Sequence, residues 1–202
     1  MALFITFEGG EGSGKSTQAR ALYRRLASLD IPVLLTHEPG GTPLGRSLRR
    51  WLKDRGHMDA ATELLLFNAS RAHLISEVIR PALNQGKVVI CDRFAESTVA
   101  YQGYGRRLDL ALVHAVNNAA TQGLKPDLIV FLDIPVEQGL ARKGPRDRFE
   151  REDVAFHERV RAGYLEMAGA DPQRWLVVDG RLPKRDIQRT VSQRVEHLLK
   201  LR

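Results

Sequence analysis

The sequence predicts an α/β fold, a five-stranded parallel sheet flanked by helices. Three observations carry it: five short apolar runs along the chain, amphipathic stretches between them, and a glycine-rich turn joining the first run to the first stretch. The runs are "LFITF" (3–7), "PVLLT" (32–36), "KVVIC" (87–91), "DLIVFLD" (127–133) and "RWLVVD" (174–179), each brief and mostly β-branched or aromatic, as buried strands are. Helical faces follow from Leu22, Leu26 and Leu29, from Phe156, Val160 and Met167, and from Ile187, Val191, Val195 and Leu198. No repeat, low-complexity tract or long linker divides the 202 residues, so residues 1–202 read as a single domain. One segment departs from the pattern. "ARKGPRDRFERED" (141–153) is dense in charge, contains Gly144 and Pro145, and reads as an exposed flap between two helices.

Composition narrows the function classes. A formal charge of +7 points to anionic partners, either nucleic acid or smaller phosphate compounds. A single cysteine, Cys91, excludes an internal disulfide framework and a cysteine-built zinc site, and within an apolar strand it reads as packing. No apolar run approaches the ~20 residues of a membrane span, and the start has no basic region before its short apolar run, so a cytoplasmic protein is expected.

The glycine-rich turn, "GGEGSGKS" (Gly9 to Ser16), satisfies G-x-x-x-x-G-K-[ST] between a strand and a helix. Glycines let backbone N–H groups approach phosphate oxygens, and the helix N-terminus adds a favourable dipole. Gly9, Gly10, Glu11, Gly12, Ser13, Gly14, Lys15, Ser16 and Thr17 are thus candidates for a nucleoside triphosphate, with Lys15 at the β- and γ-phosphates and the Ser16 hydroxyl on Mg²⁺. Such a loop serves ATPases, GTPases, kinases and motors alike, and the absence of any "NK" pair argues against a guanine-specific site. Two strands end in aspartate, Asp92 and Asp133, where ligands bind in open α/β sheets; either suits the metal's water shell, and Asp92, followed by Arg93, is favoured. Downstream of the second run, a helix carries Arg46, Arg49 and Arg50, and another puts Phe67 and Arg71 one turn apart, a ring beside a guanidinium as base recognition would use. Taken alone, Phe67 reads as core.

In order, "FEGGEGSGKST", "EPGGTPLG", "ELLLFNASRA", "CDRFAESTVAYQGYGR" and "DRFERED" resemble the motifs of thymidylate kinases, from Phe7 to about Tyr164. The resemblance implies a P-loop nucleoside monophosphate kinase fold with a short lid. It also implies transfer of the γ-phosphate of ATP, with Mg²⁺, to dTMP, giving dTDP on the way to dTTP. It implies a homodimer acting on small molecules, with neither nucleic acid nor a membrane as partner. By the same resemblance Phe67 stacks on thymine, Arg71 donates to a base carbonyl, Arg49 and Arg93 grip the acceptor phosphate, Ser97 and Gln102 lie near the base, and Tyr101 crowds the sugar 2′ position. Glu11 matches an acid that contacts the 3′-hydroxyl and orients Arg49. Some members carry a basic residue in the phosphate loop and others in the lid; with glycine at position 12, this chain resembles the second type. Arg148 matches the catalytic lid arginine, with Arg142 and Arg146 next, in a lid shorter than the usual bacterial form.

Overall fold

The apolar runs become strands because almost every residue in the central ones is buried on both sides. In the computed structural model, which describes residues 2–53, 58–142 and 148–200, the strands are β1 (Leu3–Glu8), β2 (Val33–His37), β3 (Val88–Asp92), β4 (Leu128–Asp133) and β5 (Trp175–Asp179). They form one sheet in the order β2-β3-β1-β4-β5, every neighbouring pair parallel. Parallel pairing needs a crossover after each strand, and the amphipathic stretches supply it. They form α1 (Lys15–Ala27), α2 (Pro43–Lys53), α3 (Ala60–Leu74), α4 (Arg80–Asn84), α5 (Ala95–Thr98), α6 (Leu110–Thr121), α7 (Val136–Ala141), α8 (Val154–Ala170) and α9 (Lys184–Lys200). Side chains of Asp59, Asp109 and Asp153 cap α3, α6 and α8 by accepting from the backbone N–H three residues on, each worth about 1 kcal/mol.

Strand alternation divides the core. Leu3, Ile5, Phe7, Val88, Ile90, Leu128 and Val130 meet Leu22 and Leu26 of α1 and Ile187, Val191 and Val195 of α9 on one face. On the other, Phe4, Val89 and Cys91 pack on Leu74, Ile75, Ile79 and Phe94, while Ile129 and Phe131 meet Phe156, Val160 and Tyr164. Leu29 does not continue the α1 stripe: the helix ends at Ala27, and Leu29 lies beyond it, exposed.

A π-helical turn (Ile75–Ile79) joins α3 to α4, and a longer one (Val99–Gly105) extends α5. Such segments are uncommon and concentrate at functional sites; the second turns Tyr101 and Gln102 inward together. The order of β3, β1 and β4 makes the chain wind away in opposite directions from β1, so a crevice opens beyond the C-terminal ends of β1 and β3, where ligands bind in such sheets.

The 141–153 segment is not wholly an exposed flap. Phe149 and Glu150 are buried, because Phe149 packs against Phe67 and Tyr101. Lys143, Gly144, Pro145 and Arg146 lie outside the described residues.

Candidate active site

The loop after β1 leads into α1 through Gly14, whose backbone is left-handed and which offers no side-chain cap. The first turn of α1 also lacks an acidic residue, which leaves its N–H groups and dipole available to an anion. Lys15 is folded back over the loop, donating to the carbonyls of Gly9 (2.9 Å) and Gly10 (2.6 Å) and to Ser13 Oγ (3.3 Å). Burial, with Arg93 nearby, lowers its pKa to about 8, against the opposing pull of Glu11, Asp92 and Glu8. Gly12 has φ 66° and lies against α7: a Cβ there would stand 2.0 Å from the Gly139 carbonyl oxygen, and one on Gly139 would stand 2.3 Å from the Glu11 carbonyl oxygen. Only two glycines allow this approach.

Parallel register sets Asp92 beside Phe7, at the base of the loop, and the Ser16 hydroxyl donates to its carboxylate. Asp133, the other strand-end acid, is held by the Arg161 guanidinium at 2.7 and 2.9 Å. The hydroxyl–carboxylate pair is a hard-oxygen set of the kind Mg²⁺ accepts alongside nucleotide phosphates, which favours Asp92 over Asp133. Arg93 follows with a left-handed backbone (φ 72°). Its guanidinium donates to Glu11 (2.8 Å), to the Tyr101 hydroxyl (3.1 Å) and to Ser97 Oγ (3.1 Å), and Tyr101 also donates to Glu11 (2.8 Å). The loop acid therefore pairs with Arg93 rather than orienting Arg49, which instead donates to the Pro39 carbonyl. Proximity decides this, since Arg93 leaves the end of β3, the strand next to β1.

A single cleft of about 580 Å³ runs from the glycine loop to Phe67 and Phe149. Its walls include Lys15, Ser16, Thr17, Asp92 and Arg93 at the loop end, Arg49, Arg71, Ser97, Tyr101 and Gln102 on the other side, and Arg142. Arg71 reaches that wall from a buried position (1% exposed). Its five N–H groups go to Glu38, Asn68, Asn117, the Phe94 carbonyl and Thr98. It is not a free donor waiting for a base; a base carbonyl would have to take the place of one of these acceptors. Gln102 donates to the fully buried Glu63 at 2.6 Å.

Arg148 departs most from expectation. It is absent from the cleft wall, ion-paired with Glu63 at 2.8 Å, bonded to the Leu52 carbonyl and stacked over Phe149 at 4.7 Å. A fully buried carboxylate attracts the nearest guanidinia, and Glu63 takes both Arg148 and Arg106. Of the lid arginines among the described residues, Arg142 faces the cleft, anchored on the Gly180 carbonyl at 3.1 Å.

Four residues beside the site were given no role in the sequence reading, although three lie within its quoted motifs: Glu8, Glu63, Phe149 and Tyr164. A carboxylate closing an otherwise apolar strand, as Glu8 does, was the available signal, since an acid in a buried setting needs partners. Cys91 is buried, its thiol pushed well above the usual range by burial, then by Glu38 and Asp92, which suits packing.

Fold and cleft are those of a P-loop nucleoside monophosphate kinase, with a phosphate loop at one end of a cleft and a pocket lined by aromatic rings at the other. Residues 7–191 match the model of the thymidylate kinase family. Thymidylate kinases from two strains of Dehalococcoides mccartyi are 54% and 52% identical, the matches covering 98% to 100% of this chain and 98% to 99% of those proteins. The crystal structure of thymidylate kinase from Ehrlichia chaffeensis is similar with a TM-score of 0.82, at 35% identity, over 96% of this chain and 98% of that one. The chain belongs to the thymidylate kinase family, whose reaction is the phosphorylation of dTMP to dTDP.

Proposed function

We propose that this enzyme transfers the γ-phosphoryl of ATP to dTMP within this cleft, through the residues that line it. The observation that carries the reading is the position of Arg93, which stands between the phosphate loop and the aromatic pocket and is bonded to Glu11 and Tyr101.

ATP binds with its β- and γ-phosphates on the backbone N–H groups of Gly9 to Thr17 and on Lys15, which leaves the Gly9 and Gly10 carbonyls to reach them. Ser16 and Asp92 are the residues that would hold Mg²⁺, and the bound ion neutralises phosphate charge. Thymine lies against Phe67, with Phe149 closing the pocket beside it. Arg71 meets a base carbonyl by giving up one present acceptor, Asn68 being its longest bond at 3.2 Å. Ser97 and Gln102 complete the polar edge, and the Tyr101 ring limits space at the sugar 2′ position. Arg49 and Arg93 hold the acceptor phosphate, which is already an anion and needs alignment and charge neutralisation rather than a base. Arg142 and Arg146 serve the nucleotide. Arg148 acts on the transferring phosphoryl only after leaving Glu63.

Residues 1–202 act as one catalytic domain with 141–153 as lid, in a homodimer. The adjacent helices α2, α3 and α6 expose Trp51, Leu65 and Leu112, apolar side chains that a second copy would cover. Residence in the cytoplasm belongs to the same reading; among the described residues no helix is long and apolar enough to cross a membrane. The test is ADP release from ATP with dTMP, dUMP, dCMP, AMP and thymidine side by side; preference for any acceptor but dTMP overturns the reading.

A further inference from the structure

Arg93 holds a left-handed backbone that a side-chain-bearing residue adopts only when its surroundings enforce it. Two hydrogen bonds enforce it here. The Arg93 N–H donates to the Phe7 carbonyl at 3.0 Å, and the next N–H, of Phe94, donates to Glu8 Oε1 at 2.7 Å. The other carboxylate oxygen, Oε2, accepts from the Ser97 hydroxyl at 2.6 Å and the Tyr164 hydroxyl at 3.0 Å. Those two hydroxyls are the same ones that receive Arg93 Nη1, at 3.1 and 3.4 Å. One fully buried side chain thus fixes both the backbone of Arg93 and the acceptors that aim its guanidinium.

We propose that Glu8 is a positioning residue for Arg93, setting the direction of the guanidinium through the Phe94 amide and the Ser97 and Tyr164 hydroxyls without touching substrate. This rests on the reading that Arg93 holds the acceptor phosphate. Three donors converge on Glu8, and a carboxylate, which only accepts, takes all of them. Glutamine keeps one oxygen for the Phe94 amide and must turn its NH₂ toward two hydroxyls, which can rotate to accept. Aspartate is one methylene short of the Phe94 amide, and alanine leaves three buried donors unmatched.

Steady-state kinetics on single and double variants test this. Glu8→Ala should lower kcat/KM for dTMP about 100-fold, and the isosteric Tyr164→Phe about tenfold, with affinity for a fluorescent ATP analogue changed less than about threefold. Glu8→Gln should recover most of the loss. In an Arg93→Ala background each further change should cost less than about threefold, because residues acting through one group are not additive. Tyr164→Phe carries the cycle alone if Glu8→Ala does not fold. Losses that multiply with that of Arg93→Ala, or that fall equally on ATP affinity, overturn the proposal in favour of a role in core stability. An Arg93→Ala variant with unchanged kcat/KM for dTMP overturns the phosphate-holding reading as well, whereas a loss in that variant with none in Glu8→Ala or Tyr164→Phe overturns only the role of Glu8.

Discussion

Replacing Arg148 by alanine separates two roles for that side chain. Its partner Glu63 is fully buried and Arg148 itself is 11% exposed as a side chain, with 2.8 Å between the charged atoms. Unit charges ~4 Å apart attract by about 4 kcal/mol at an effective dielectric near 20. Glu63 keeps Arg106 at 3.3 Å and the Gln102 amide, so the net loss falls to roughly 2 kcal/mol, less than for an orphaned buried charge. For a chain of 202 residues each kcal/mol moves the melting temperature by about 2–4 °C, which gives a fall of roughly 4–8 °C. If Arg148 also leaves Glu63 to meet the transferring phosphoryl, kcat should drop about 100-fold with KM for dTMP nearly unchanged, as for a group engaged in the transition state. The assays are thermal melting of the ligand-free protein, steady-state kinetics, and a double-mutant cycle with Glu63→Gln read by melting. Additive effects in that cycle would refute the ion pair. A lowered melting temperature with unchanged kcat would refute the lid role and leave Arg148 as a strut of the base pocket.

Because burial lowers Lys15 to about 8, kcat/KM for ATP should fall as pH rises above 8, by about tenfold per unit once the free enzyme is mostly deprotonated; a flat profile to pH 10 would contradict the buried, loop-bound lysine. Lys15 binds fewer protons folded than unfolded between pH 8 and 10.5, so its contribution makes stability rise with pH in that window, and Lys15→Met should remove that share of the slope in denaturant titrations. Tyr101→Phe keeps the ring but loses the bonds to Glu11 and Arg93, so kcat should fall about tenfold with discrimination against the ribonucleotide retained, whereas Tyr101→Ala should relax that discrimination; equal selectivity in both variants would disprove the 2′ assignment. Gly12→Ala forces a Cβ within 2.0 Å of a carbonyl, and kcat/KM for ATP should drop about 100-fold or more; a near-normal value would show that α7 yields easily.

The sheet was legible because a parallel strand buried on both faces leaves an unbroken apolar run, and all five strands fall within a residue or so of those runs. The phosphate loop was legible because its glycines and Lys15 are contiguous. What pairs with what across the chain was not. Glu11 meets Arg93 and not Arg49 because of strand order, a long-range fact that spacing does not encode. The charge run at 141–153 read as an exposed flap, yet Phe149 drags its neighbours inward, and the acid that receives Arg148 lies 85 positions earlier, at Glu63, which opens a quoted motif but carries no sign there of a distant arginine. Glu8 fell just past the first apolar run and was given no role; its three partners come from two distant segments.

The contact between Gly12 and Gly139 also limits what the phosphate loop can carry. A basic side chain cannot be added to the phosphate loop at position 12 while α7 rests on that backbone. A cation placed in the loop at that position would require α7 to be re-seated as well.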